Sequence, residues 1–164
     1  MQLIVGLGNI GDKYKSTYHN IGFEFLEFIT NQAEFSYKKH FLGAIYKNGD
    51  TIYLKPHTYM NNSGQSVLAV KQYYNIPDNQ IIIIHDDSDI ALGEYKIQTN
   101  RGSGGHHGIN SVFEHISPAV TRIRIGIRAE RFMGQKAQEF VLRAISDEDN
   151  IILQQVYKQV QENL

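Results

Sequence analysis

The hydrophobic and polar positions of this chain predict strands and helices that alternate along the sequence. Continuous apolar runs at 3–5 and 81–84 indicate strands covered on both faces, because a half-buried strand alternates apolar and polar residues. Such alternation flanks Asn48-Gly49, a dipeptide typical of tight turns, and predicts a β-hairpin. Shorter β-like segments lie at 95–97 and 122–127.

Helical patterns separate these segments. Ser63 is the predicted cap of one helix and Ser146 begins the last helix, in which Ile152 is expected on the buried face. The interleaving predicts an α/β protein: a single domain over residues 1–164, with a mixed twisted β-sheet flanked by helices on both faces. The predicted helices cover about 23–31, 63–76, 106–116, 135–142 and 146–160.

Composition narrows the function classes. The 16 basic and 17 acidic residues nearly cancel, which excludes a protein that holds nucleic acid by bulk positive charge. The absence of cysteine excludes disulfides, thiolate nucleophiles and cysteine-based metal sites. The apolar start of the chain is too short to span a membrane, so a soluble cytoplasmic protein is expected.

Basic residues are nevertheless concentrated between residues 96 and 136, a stretch that contains seven basic and two acidic residues. Two interpretations stay open: arginines that cover apolar strands with their aliphatic stems, or a patch that binds phosphate without sequence specificity. The seven are Lys96, Arg101, Arg122, Arg124, Arg128, Arg131 and Lys136.

The glycines at positions 6, 8 and 11 follow the first strand with the spacing of a dinucleotide-binding turn. That motif needs a helix that starts at once and holds pyrophosphate at its N-terminus, and residues 12–17 show no amphipathic face. A nucleotide- or dinucleotide-binding module therefore remains an alternative. The other interpretation is a turn that presents Asn9 at the end of the strand.

Further candidate chemistry follows the apolar run at 81–84, where His85, Asp86, Asp87 and Asp89 are expected beyond the strand end. Ligands usually bind at that edge of an α/β sheet. A carboxylate there could orient the imidazole of His19 and make its other nitrogen a better general base.

A glycine-rich loop at 101–105 precedes His106 and His107. Adjacent histidines near three carboxylates suggest a metal-dependent hydrolase as a second alternative, although no zinc-type spacing occurs. Asn61 and Asn62 are turn formers or a source of side-chain amides for the same cleft.

Taken together, these segments resemble bacterial-type peptidyl-tRNA hydrolase. The matches occur in family order from residue 1 to about 143. They are the segment Leu3-Ile4-Val5-Gly6-Leu7-Gly8-Asn9, Tyr14 with His19-Asn20, Pro56-x-Thr58-Tyr59-Met60-Asn61-x-Ser63-Gly64, His85-Asp86-x-x-Asp89, Gly104-Gly105-His106-x-Gly108, Arg122 to Ile127, and Phe140-Val141-Leu142.

The resemblance implies an enzyme that hydrolyses the ester between peptide and tRNA, without a metal or other cofactor. It implies that His19 is the catalytic base, that Asp86 keeps it basic, and that Asn9 contacts the peptide main chain. Asn61 and His107 are implied to bind substrate, and Tyr14 and Tyr59 the tRNA end. Arg124, in the basic stretch, is predicted to contact tRNA phosphate.

Two positions depart from the family pattern. Ile10 replaces a proline that is common in the first motif, and His107 occupies a place where the family usually has asparagine. A third alternative is therefore an inactive relative that still binds RNA. The expected partner is the acceptor end of peptidyl-tRNA, with no membrane, no obligate protein partner and a monomeric state.

Overall fold

The computed structural model describes residues 1–164 and contains one seven-stranded mixed sheet. The strands are β1 (Gln2–Gly6), β2 (Ser36–Lys38), β3 (Gly43–Asn48), β4 (Thr51–Pro56), β5 (Ile81–Ala91), β6 (Tyr95–Gln98) and β7 (Thr121–Arg128). Their order is β2-β3-β4-β1-β5-β7-β6. The four central strands are parallel, and β2, β3 and β6 pair antiparallel at the two sides. The predicted mixed sheet and the hairpin are confirmed.

The helices cover both faces of this sheet, as predicted. They are α1 (Ile21–Ile29), α2 (Ser63–Tyr74), α3 (His107–His115) and α4 (Asp147–Gln161). Leu3 and Val5 point into the core beneath α2 and α3, whereas Ile4 points into the core beneath α1 and α4. This alternation between two buried cores explains why the run is apolar at every position. No helix has the length and apolar character needed to cross a membrane.

Strand β5 is longer than predicted, because its pairing with β7 continues beyond Ile84. His85 pairs with Arg124, Asp86 with Ile125 and Asp87 with Gly126, before the register shifts ahead of Ala91. The acidic cluster was expected beyond the strand end, and this expectation was wrong because residues 85–89 belong to β5. Asp86 is instead a strand residue with 2% of its surface exposed.

The helix predicted at 135–142 is absent, and only Ala137–Glu139 form a single 3₁₀ turn. Two carbonyl groups after this turn accept hydrogen bonds from residues far away in the chain. The carbonyl of Val141 accepts from the His19 N–H at 2.8 Å, and that of Arg143 accepts from the Tyr18 N–H at 3.3 Å. Phe140 is fully buried in the core beneath α1 and α4. These contacts hold residues 137–142 beside His19 as an irregular wall.

Two finer predictions about helix residues were also wrong. Ser63 is the first residue of α2 and its hydroxyl donates to the Met60 carbonyl at 2.9 Å, so it caps no N–H group. Ile152 is 36% exposed, because Leu153 and Tyr157 form the buried face of α4 together with Val156 and Val160. Ser146 does cap α4, accepting from the Asp149 N–H at 3.2 Å.

The glycines after β1 allow α1 to pack directly on the strand. A Cβ atom on Gly6 would lie 2.1 Å from the Gly22 carbonyl oxygen, and one on Gly8 would lie 2.7 Å from the Phe23 ring. A dinucleotide-binding motif needs a helix directly after the glycine turn in the chain, whereas α1 begins only at Ile21.

Candidate active site

A cleft opens where β1 and β5 end and α3 begins, and it has two lobes that share His19, His107, Gln138 and Val141. The polar lobe, about 150 Å³, is lined further by residues 86–89, 103–106 and Ala137. The tyrosine lobe, about 380 Å³, is lined further by Asn9, Tyr14, Tyr59, Met60, Asn61 and Leu142. Seven of the eight predicted site residues therefore line at least one lobe of this cleft, and only Arg124 lines neither.

His19 and Asp86 form the predicted contact at this cleft. Nδ1 of His19 lies 3.0 Å from both carboxylate oxygens of Asp86, so the Nδ1–H group donates and Nε2 is left as a free base. Burial alone would lower the pKa of His19, but the charge of Asp86 and this hydrogen bond outweigh it and raise the pKa above 6.5. The His19 side chain is 14% exposed, which leaves it accessible from the cleft.

Asp86 is held ionised by two imidazoles. Burial works to raise its pKa, yet the attraction and hydrogen bonds of His19 and His106 keep the pKa well below the ordinary value. Nε2 of His106 lies 2.9 Å from Asp86 Oδ1. A carboxylate that stays charged can stabilise the imidazolium that forms when His19 takes a proton.

The tautomer of His106 follows from its position as the N-cap of α3. Its Nδ1 accepts from the N–H groups of Gly108 and Ile109 at 3.1 and 3.3 Å, so the proton must be on Nε2, which donates to Asp86. Ligand atoms of His19, Asp86 and His106 lie within 4.8 Å of one another, as a metal site requires. However, a protonated Nε2 cannot bind a cation, so this trio fits a hydrogen-bonded triad better than a metal centre.

His85 and Arg122 lie next to the triad of His19, Asp86 and His106. Nδ1 of His85 lies 2.7 Å from the Asp86 carbonyl oxygen and donates to it. Burial lowers the pKa of His85 well below 6.5, and the neutral ring faces Arg122 through Nε2. Arg122, 2% exposed, donates to the carbonyl groups of Arg101 and Gly102 and so ties the glycine-rich loop to β7.

Asn9 is fixed by three hydrogen bonds. Its N–H and C=O groups pair with the side chain of Asn20 at 2.8 and 2.9 Å. Its Oδ1 accepts from the Met60 N–H at 2.8 Å, which leaves the two Nδ2 protons without a partner in the protein. Because Asn9 lines the tyrosine lobe, this amide is a rigid donor for a carbonyl group in the cleft.

Two tyrosines mark the open side of the tyrosine lobe. The rings of Tyr14 and Tyr59 meet edge to face with centroids 6.4 Å apart, and Tyr59 is 53% exposed. The backbone of Tyr59 has φ 57° and ψ 163°, a region that favours glycine. The backbone of Tyr59 is therefore strained at the position that holds its ring at the tyrosine lobe. Asn61 lines the same lobe, and its exposed amide makes no hydrogen bond within the protein.

The basic stretch is largely occupied by contacts within the protein. Arg124 donates to Asp87 at 2.7 Å and to Gln98, and it lines neither lobe. Arg128 bonds three carbonyl groups, and Arg131 bonds Asp149 and Tyr18. The guanidinium groups of Arg128 and Arg131 also lie over the rings of Phe140 and Phe132, in part as expected of arginines that cover apolar surface. Exposed bases of the stretch are Lys96, Arg101, Arg131 and Lys136.

Some site features had no clear signal in the sequence. His106 was considered only as a metal ligand, although its place just before a helix is a capping position. Gln138 and Val141 line both lobes, yet they lie in the segment predicted to be a helix. No local pattern shows which irregular loop will fold against His19.

Comparison with known proteins gives a consistent result. The family model for peptidyl-tRNA hydrolase matches residues 3–164. A peptidyl-tRNA hydrolase of Rickettsia bellii (strain OSU 85-389) is 44% identical over 169 residues, covering 99% of this chain and 91% of the relative. One from Sulfurovum sp. (strain NBC37-1) is 39% identical, covering 98% and 85%.

The fold comparison agrees. A crystal structure of peptidyl-tRNA hydrolase from Acinetobacter baumannii superposes with a TM-score of 0.90 at 32% identity, covering 99% of this chain and 85% of that one. Ordered motifs, fold and full-length similarity lead to one conclusion: this chain belongs to the peptidyl-tRNA hydrolase family.

Proposed function

We propose that this protein hydrolyses the ester bond between peptide and tRNA in peptidyl-tRNA, releasing peptide and free tRNA, with His19 as general base. Membership of the family supports the activity. The single observation that carries the mechanism is the contact between His19 Nδ1 and Asp86, which leaves Nε2 of His19 free at the cleft.

The chemistry needs no covalent intermediate. Nε2 of His19 takes a proton from a water molecule, whose oxygen attacks the ester carbonyl carbon. The tetrahedral oxyanion collapses, the carbon–oxygen bond to the ribose breaks, and the ribose oxygen receives the proton from His19. Asp86 stabilises the imidazolium between these steps, and a positioned base of this kind is worth about 10²–10⁴-fold.

Amide donors of the tyrosine lobe hold the substrate in this proposal. Nδ2 of Asn9 binds a main-chain carbonyl of the peptide, and Asn61 stabilises the oxyanion, where loss of one donor costs about 10²–10³-fold. His107 lies between the lobes and offers a further polar group to substrate or water.

The RNA end is assigned to the open side of the cleft. Tyr59, which is exposed, and the half-buried Tyr14 beside it provide aromatic surface on which an unpaired base can stack. Arg124 would act mainly through Asp87 and Gln98, and exposed bases such as Arg101 are better placed to meet phosphate directly. The protein is proposed to act as a monomer without an obligate protein partner, in the cytoplasm where peptidyl-tRNA forms.

The test is release of the acyl group from purified N-acetyl-aminoacyl-tRNA, with free aminoacyl-tRNA in parallel. We expect turnover of the blocked substrate, and His19→Ala should reduce kcat by at least about 10²-fold while the affinity for deacylated tRNA is unchanged. Retained activity in His19→Ala would overturn the role of His19. No turnover by the natural protein, together with RNA binding, would favour the inactive relative. Thermal stabilisation by NAD(H) or ATP would favour the nucleotide-binding alternative.

A further inference from the structure

A further cavity shares Asn9 with the cleft. This lysine cavity, about 500 Å³, is lined by Asn9, Asn20, Glu24, Glu27, Lys55 and His57, among others. Asn9 also lines the tyrosine lobe, so this residue borders both spaces. Its volume lies in the range of about 300–1,000 Å³ that is usual for ligand sites.

Lys55 makes this cavity unusual. Its side chain is 10% exposed, and Nζ forms a single hydrogen bond, 2.6 Å long, to Glu27 Oε1. The ammonium group also lies 4.5 Å from the centroid of the Phe35 ring. An ammonium group has three N–H donors, so Lys55 retains donor capacity on the side that faces the cavity.

We propose that the lysine cavity is a subsite for the peptide part of the substrate, beyond the residue that forms the ester, and that Lys55 donates to a main-chain carbonyl there. The inference rests on the proposed function. A chain whose ester carbonyl lies at His19 and whose first amide passes Asn9 reaches this cavity next, because Asn9 borders both spaces.

The charges of the cavity favour a peptide over RNA. Glu27 contributes a carboxylate beside Lys55, and a phosphate would meet both charges at once. Burial raises the pKa of Glu24 to about 7, so near neutral pH this side chain supplies a donor as well as acceptors. Such mixed donors and acceptors match the alternating N–H and C=O groups of an extended peptide.

The experiment compares two substrates on the same tRNA with the same esterified residue: N-acetyl-aminoacyl-tRNA and N-acetyl-tripeptidyl-tRNA. In Lys55→Met the KM for the tripeptidyl substrate should rise about tenfold, the loss expected for a hydrogen bond from a charged donor. The KM for the short substrate should change less than about twofold, because it does not reach Lys55. The matched control is Lys71→Met, which removes a lysine paired with Asp78 at 3.1 Å that lines none of these spaces.

The outcomes separate the proposal from its rivals. Equal changes for both substrates, or no change for either, would overturn the subsite. Weaker binding of deacylated tRNA by Lys55→Met would show that the cavity holds RNA instead. If the natural protein cleaves neither substrate, the proposed function itself fails. Should Lys55→Met not fold, the released N-acetyl-tripeptide is tested as an inhibitor of the natural protein, and inhibition no stronger than that by N-acetyl-amino acid would contradict the subsite.

Discussion

His19 and Asp86 lie sixty-seven positions apart in the chain, yet the imidazole Nδ1 is 3.0 Å from both carboxylate oxygens. Asp86 is at the same time 2.9 Å from Nε2 of His106. One buried carboxylate therefore orients two imidazoles, and only His19 keeps a free nitrogen at the cleft, because both nitrogens of His106 are occupied.

The raised pKa of His19 predicts the acid side of the pH profile. The base must be neutral to accept a proton, so kcat/KM should fall as pH decreases through a midpoint above 6.5. Asp86→Asn removes the carboxylate that raises this pKa, and only burial, which lowers it, remains. We expect the midpoint to move to lower pH and the plateau to fall by at least about 10²-fold. Initial rates from about pH 5 to about pH 9 test this, and a midpoint unchanged by Asp86→Asn would contradict it.

Chelation should leave the activity unchanged. The proton on Nε2 of His106 points at Asp86, where a metal shared by the trio would have to bind. Activity is measured after dialysis against EDTA and again after divalent cations are restored. A loss that returned on adding metal would support the metal-dependent hydrolase instead.

The role of His107 can be tested by two substitutions. The residue borders both lobes of the cleft and can donate or accept a hydrogen bond. We expect His107→Asn, which keeps a donor and an acceptor, to retain kcat/KM within about threefold, and His107→Ala to lose about tenfold. An alanine variant with full activity would show that this side chain does not bind substrate or water.

Salt dependence should be modest and should involve the exposed bases. Each phosphate contact adds about −0.7 to −0.9 to the slope of log affinity against log salt concentration. Arg101→Gln should therefore make the slope of log kcat/KM shallower by about 0.7–0.9, whereas Lys71→Gln, away from the cleft, should not change it. An unaltered slope in Arg101→Gln would leave Arg101 without a phosphate contact.

The network of Asp149, Tyr18 and Arg131 should contribute to stability. Asp149 is 2% exposed and accepts from Tyr18 Oη at 2.6 Å and from Arg131. Burial would raise the pKa of Asp149, but these partners outweigh it and lower the pKa, so the stabilisation is present above the ordinary pKa and is lost as pH falls through the lowered value. Asp149→Ala should lower the free energy of unfolding by about 3 kcal/mol and Tm by roughly 6–12 °C. Calorimetry at neutral pH would contradict this if Tm fell by less than about 2 °C.

The sequence predicted the fold class because local patterns carry that information. Leu3, Ile4 and Val5 are all apolar since the strand is covered on both faces, and the turn between β3 and β4, Gly49-Asp50, follows Asn48 directly. The helix at 135–142 was predicted wrongly because the carbonyl of Val141 accepts from His19 and that of the adjacent Arg143 from Tyr18, which no local pattern reveals.

The candidate site likewise has features that the sequence predicted and features that only tertiary packing determined. Motifs in the sequence and their resemblance to a family named His19, Asp86 and Asn9 as candidates, and Asn9 and Asp86 were expected at the ends of strands. The contact of His106 with Asp86, the internal pairing of Arg124 and the cavity at Lys55 depend on groups distant in the chain. Periodicity and turn residues act over a few positions, so they determined the elements of this protein. The protonation, charge and accessibility of each side chain were decided only when tertiary packing selected its partners.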